Sequence, residues 1–143
     1  MGTYNDCVFT VTVPVDQAIS LARSLGEHLS EHYPGEKFEG DSFDEALKWL
    51  KTHLWAASNE DGLTDEWTLN DDGTLTFEGW GSGKSWDSRR TLYQPLVAAG
   101  ASALYYWTST VDPDDRWAIR VHEGKISHHP AVVTTTYAGL EIA

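Results

Sequence analysis

Trp67-Thr68-Leu69-Asn70-Asp71-Asp72-Gly73-Thr74-Leu75-Thr76-Phe77 sets the direction of the sheet. Two short runs rich in Thr and apolar residues flank Asn70-Asp71-Asp72-Gly73, and Gly73 can take the positive φ that a three- or four-residue hairpin loop requires. An antiparallel hairpin here makes the sheet antiparallel at this point, so the remaining elements are read around it.

Upstream, Cys7 to Val13 alternates with β-branched residues at most positions, and Pro14 stops it, which predicts a strand. Val15, Ala18, Ile19, Ala22, Leu25, Leu29 and Tyr33 then recur at the three-and-four spacing of one helix face, so a helix is expected over 15–33, ended by Pro34-Gly35. Ser42-Phe43-Asp44-Glu45 has the form of a capping box and opens a second helix over 42–56. Asn59 to Asp65 reads as a polar loop. Downstream, Gly79 to Lys84 reads as a glycine-rich loop and Ser88 to Ala99 as a third helix stopped by Gly100. Pro95 either kinks that helix or begins it, because an interior proline removes a hydrogen bond. Ala103 to Val111 and Trp117 to Val121 read as strands, and Glu123-Gly124 turns the chain into a last strand from Lys125.

The order βααββαβββ predicts one α+β domain spanning 1–143, a mostly antiparallel sheet with the helices on one face. With the two N-terminal helices taken as one crossover, its first part follows the ferredoxin-like order βαββαβ, and the final hairpin extends the sheet edge. Val11, Val13, Ile19, Leu25, Leu29, Leu47, Leu50, Leu69, Leu75, Phe77, Leu96, Val97, Leu104, Ile119 and Val121 are the expected core.

At 143 residues the chain is long enough for one core, and 41% hydrophobic residues with seven Trp exclude a disordered chain. The net charge of −12 opposes direct contact with nucleic-acid phosphates or an anionic membrane, whereas a basic protein partner is favoured. Residues 36–72 hold eleven acids against three bases, so the acidity is regional. Cys7 alone closes no intramolecular disulfide, and the N-terminal residues lack a basic region followed by an apolar one. A cytoplasmic protein is therefore expected.

Motifs for chemistry fall short. Gly79-Trp80-Gly81-Ser82-Gly83-Lys84-Ser85 has the position of a phosphate-cradling loop, but Glu78 stands where the first glycine of that pattern belongs. His28 and His32 are four apart and His122, His128 and His129 cluster, yet adjacent His128 and His129 on a strand point to opposite faces, so no metal is expected. Aligning Asp72-Gly73 with a calcium loop puts Thr68 and Gly79 where carboxylates are required. Cys7 lies in an apolar strand as a small buried residue, and Asp114-Asp115 sits in a turn, so no catalytic residue and no cofactor is assigned. Two candidate sites remain. The acidic stretch Glu60, Asp61, Asp65, Glu66, Asp71 and Asp72 is the expected contact with a basic partner. Trp80, Lys84, Trp86, Arg89, Arg90, Tyr105 and Trp107 form an alternative, an aromatic pocket for an anionic small molecule or an enzymatic domain, in which Tyr105 and Trp107 share one sheet face and Tyr106 takes the other.

Phe77 through Trp80-Gly81-Ser82-Gly83-Lys84-Ser85-Trp86-Asp87, followed by a helix and by Tyr105-Tyr106-Trp107, resembles small plasmid and phage proteins of the ferredoxin-like YubB type. Trp117-Ala118-Ile119-Arg120-Val121 with Gly124-Lys125 is similar to the end of small actinobacterial and phage-borne domains. The second N-terminal helix and the final hairpin depart from that pattern. The resemblance carries no catalytic residue over and implies an accessory protein of a mobile element; the lack of a complete catalytic set, the regional acidity and the seven Trp lead to the expectation that it acts by binding a protein partner, such as a host protein.

Overall fold

The structure, a computed structural model, describes residues 4–31, 35, 37–54, 61–84, 93–109, 111–112, 115–132 and 139, with only the backbone described at 4, 5, 61–66 and 81–84. Among the described residues, six strands form one antiparallel sheet: β1 (Tyr4–Pro14), β2 (Asp61–Leu69), β3 (Thr74–Lys84), β4 (Ser102–Ser109), β5 (Arg116–His122) and β6 (Lys125–Pro130). Their spatial order is β2-β3-β1-β4-β5-β6. Helices α1 (Ala18–Ser30), α2 (Phe43–His53) and α3 (Gln94–Ala98) connect β1 to β2 and β3 to β4.

The expected hairpin is present, and its turn is built as the sequence implies. Gly73 has φ +82°, its N–H donates to Asn70 O at 3.3 Å, and Asp72 Oδ1 accepts from the Thr74 N–H at 3.1 Å. The Ser42 cap also forms: its hydroxyl oxygen accepts from the Glu45 N–H at 3.2 Å. Glu45 reaches back to accept from the Ser42 hydroxyl at 2.9 Å, where a standard box bonds the cap's backbone N–H.

Pro95 begins a helix here. It stands in the first turn of α3, where a missing N–H costs nothing, and of the region 88–99 expected as helical, residues 88–92 lie outside the described residues. Gly100, at φ +68°, closes α3 by sending its N–H to Val97 O while Ala101 bonds Leu96 O, a Schellman ending.

Two regions differ from expectation. The glycine-rich stretch 79–84 is strand, as are residues 61–65, where a polar loop was expected. Phe9 pairs with Gly79, Cys7 with Gly81 and Asn5 with Gly83, so the three glycines occupy one face of β3 beside β1. Ladder hydrogen bonds need no side chain, and long-range pairing on both sides overrides the local loop signal.

Cross-strand register decides which face is core. Cys7, Phe9, Val11 and Val13 of β1, Leu75 and Phe77 of β3, Ala103, Tyr105 and Trp107 of β4, and Ile119 and Val121 of β5 are buried with Leu21, Leu25, Leu50, Leu54 and Leu96 of the helical layer. The helices thus cover one face. Leu69 and Leu104 were expected in this core and are not in it. Leu69 is exposed at the end of the edge strand β2, and Leu104 has the parity of Tyr106, so it is half-buried on the opposite face. Ile19 and Val97 pack at the core's margin.

Candidate functional site

The sheet face opposite the helices carries the features that packing does not explain. Val8 pairs with Trp80 on one side and with Tyr106 on the other, and Tyr106 pairs with Ala118, which pairs with His129. Directly opposed residues of antiparallel strands project from the same face, so these five side chains form one row across β3, β1, β4, β5 and β6. Val8, Trp80 and Tyr106 are 59%, 50% and 55% exposed. Burial against the helices does not account for three large apolar side chains placed side by side in water, which makes this face the candidate site.

Charge is segregated around the row. Asp6 and Glu78 are exposed on β1 and β3, and Arg116 and Arg120 are exposed on β5. By register, Glu78 pairs with Thr10, Thr10 with Leu104 and Leu104 with Arg120; Asp6 pairs with Thr108, which pairs with Arg116. One half of the face is therefore acidic and the other basic, with Val8, Tyr106 and Leu104 between. Further along β1, Thr12 and Thr76 hydrogen-bond across the ladder at 3.2 Å.

The acidic candidates gather on the Glu78 side. Asp61, Asp65 and Glu66 belong to the edge strand β2, Asp65 falls at a register shift between Thr64 and Glu66, and Glu66 pairs with Glu78. Asp71 and Asp72 are exposed in the β2–β3 turn, where Asp72 also builds the turn by accepting from Thr74 Oγ1 at 2.6 Å. Glu60 lies outside the described residues. Charges on an edge strand also block pairing with other chains.

Of the aromatic pocket, Trp80 projects into solvent on the open face, whereas Tyr105 and Trp107 are 0% and 1% exposed on the core face. The alternation of β4 places Tyr105 and Trp107 together and Tyr106 opposite, as expected, and the shared face is the one under the helices. Trp80 therefore lines no common wall with them. Lys84 ends β3, its backbone alone described; Trp86, Arg89 and Arg90 lie outside the described residues.

Tyr105 stacks on Phe9 with ring centroids 5.4 Å apart and meets Tyr93 edge-on at 5.1 Å. Its hydroxyl is buried without a hydrogen-bond partner among the described residues. Burial, reinforced by Tyr93 and Cys7, holds its pKa well above the ordinary tyrosine value. Among the described residues no group of three His, Cys, Asp or Glu is placed to hold a metal ion, and no helix is long and apolar enough to cross a membrane.

Sequence reading reached Trp80 but not Val8 or Tyr106. The signal for Val8 is an apolar residue at the solvent parity of β1, whose outward positions Thr10 and Thr12 are polar, and that for Tyr106 is its parity opposite Tyr105 and Trp107. No protein-family model, no curated protein and no solved structure matches the chain.

Proposed function

We propose that the chain is a small cytoplasmic accessory protein, borne by a phage or another mobile element, that acts by binding a basic protein partner on its open sheet face. The observation that carries the reading is the exposed row Trp80, Val8 and Tyr106. Charge selects the partner. Glu78 and Asp6 flank the row, the acidic edge strand and turn lie beside it, and the chain's net charge is −12, so a basic surface is attracted and a nucleic-acid backbone repelled. That repulsion weighs against single-stranded nucleic acid, which would otherwise suit aromatic side chains on an open sheet.

The strand order β2-β3-β1-β4, with helical crossovers between β1 and β2 and between β3 and β4, supports a ferredoxin-like reading of the chain up to Ser109. In that reading, β5 and β6 extend the sheet and widen its open face. The resemblance of residues 77–87 and 105–107 to YubB-type plasmid and phage proteins points the same way.

The test is the affinity of the partner, recovered by affinity purification from cells that carry the protein, for purified variants. Trp80→Ala and Tyr106→Ala should each weaken binding about tenfold or more, as truncating a central aromatic anchor does. Charge reversal at Asp71, Asp72 and Glu78 should weaken it further and flatten its salt dependence. Unchanged affinity in both aromatic variants would overturn the reading.

A further inference from the structure

The open sheet face is complementary to itself. A two-fold axis running along the strands between β1 and β4 lays the face on a copy of itself with β1 over β4 and β3 over β5, and the register fixes which side chains then meet. In the row through Val8, Trp80 comes over Ala118 of the second copy and Val8 over its Tyr106. In the next row, Glu78 comes over Arg120 and Thr10 over Leu104. The two-fold makes each contact occur twice.

Size and charge both fit. The largest side chain of the row, half-exposed Trp80, meets the smallest, Ala118, across a spacing of about 10 Å between stacked sheets. Exposed Glu78 meets exposed Arg120. Within one chain these two stand three strands apart, a gap of about 14 Å that keeps them from pairing, and among the described residues neither is ion-paired. All of these contacts lie within two strands of the axis, where the twist of the two sheets separates them least. A two-fold running across the strands instead would set the acidic half of the face, Asp6 and Glu78, on itself, which like charge opposes.

We infer that in the free protein a second copy of the chain covers the open face, in a symmetric dimer that the basic partner displaces. Two chains of net charge −12 repel each other, so the dimer is weak, whereas a basic partner is attracted to the same face. The displacement rests on the docking reading; the dimer rests on the face alone.

The test is sedimentation velocity of the purified full chain over a concentration series, for the wild type, Arg120→Glu, Glu78→Lys and a mixture of the two variants. The wild type should pass reversibly from monomer to dimer, and amide NMR shifts on dilution should fall at Val8, Trp80, Tyr106 and Ala118. Both substituted side chains are exposed, so the variants should keep the fold. Each variant alone sets like charges opposite one another twice and should raise the dimer dissociation constant about tenfold or more. Mixing them should restore association, because every acid then meets a base in the heterodimer, a recovery that a folding defect does not give. A chain that stays monomeric at every concentration, a dimer unaltered in Arg120→Glu, or no recovery on mixing would overturn the dimer. Partner affinity is measured separately, on chain diluted to the monomer. If the dimer fails while Trp80→Ala still loses the partner, the docking reading stands; if the dimer forms while Trp80→Ala and Tyr106→Ala keep full partner affinity, the docking reading and the displacement fall.

Discussion

Replacing Tyr105 by Phe keeps both ring contacts, to Phe9 at 5.4 Å and to Tyr93 at 5.1 Å, and removes one atom, a buried hydroxyl oxygen that has no hydrogen-bond partner among the described residues. A buried unsatisfied polar group costs about 1–3 kcal/mol, so Tyr105→Phe should leave stability at neutral pH unchanged or raise it by up to about 2 kcal/mol. The alkaline limb is the sharper reading. Tyr105 titrates well above its ordinary value in the folded chain, so the folded state holds the proton where the unfolded state, near pH 10, gives it up. Its contribution is fully present below the unfolded pKa and is lost as pH rises towards the folded one, at about 1.4 kcal/mol per pH unit. Urea unfolding followed by Trp fluorescence at neutral pH and at steps above pH 10 measures both. The difference between wild type and Tyr105→Phe should widen above pH 10 with about that slope, other titrations cancelling in the comparison. A variant more than about 1 kcal/mol less stable at neutral pH, or parallel alkaline limbs, would show instead that the hydroxyl is satisfied.

Other consequences are local. Ser42→Ala should cost about 1 kcal/mol in urea unfolding by removing the cap on α2. Glu123 sits at φ +50° and Gly124 at +78° in the β5–β6 turn, so Glu123→Gly or Glu123→Asn should raise stability by about 1 kcal/mol, since a side chain in the left-handed region costs about that much. A thermal melt reads this as a rise of a few degrees; a fall would show that the Glu123 side chain contributes more than its strain. Trp80→Ala, half-buried beside Val8, should cost about 1–3 kcal/mol in urea unfolding through lost apolar area, so its partner affinity is read on a variant shown by Trp fluorescence to be folded.

How far the sequence carries can be traced residue by residue. The hairpin at Asn70–Gly73, the Ser42 cap and the Glu123-Gly124 turn rest on contacts between residues two to four apart, and each is visible in the chain as written. Strand 79–84 rests on pairing with β1, seventy to eighty residues away, and its glycines spell a loop until β1 is placed beside them. Tyr105 and Trp107 could be assigned to one face by parity, but parity alone does not say which face meets the helices. The row Trp80, Val8 and Tyr106 draws on three strands, so it exists only once the register of β3, β1 and β4 is known. Leu104 shows the same limit from the other side: an apolar residue reads as core until its neighbours Ala103 and Tyr105 claim the buried parity.

The open face as a docking surface is tested most directly by site-specific photo-crosslinking in cells. A photoreactive amino acid replaces Val8 on the open face or, as a control, Arg23 on the exposed side of α1, and the adduct is identified by mass spectrometry. One dominant basic protein should be crosslinked from Val8, absent from Arg23, and lost when Trp80→Ala is added. A partner captured equally from Arg23, or from Val8 regardless of Trp80, would contradict it.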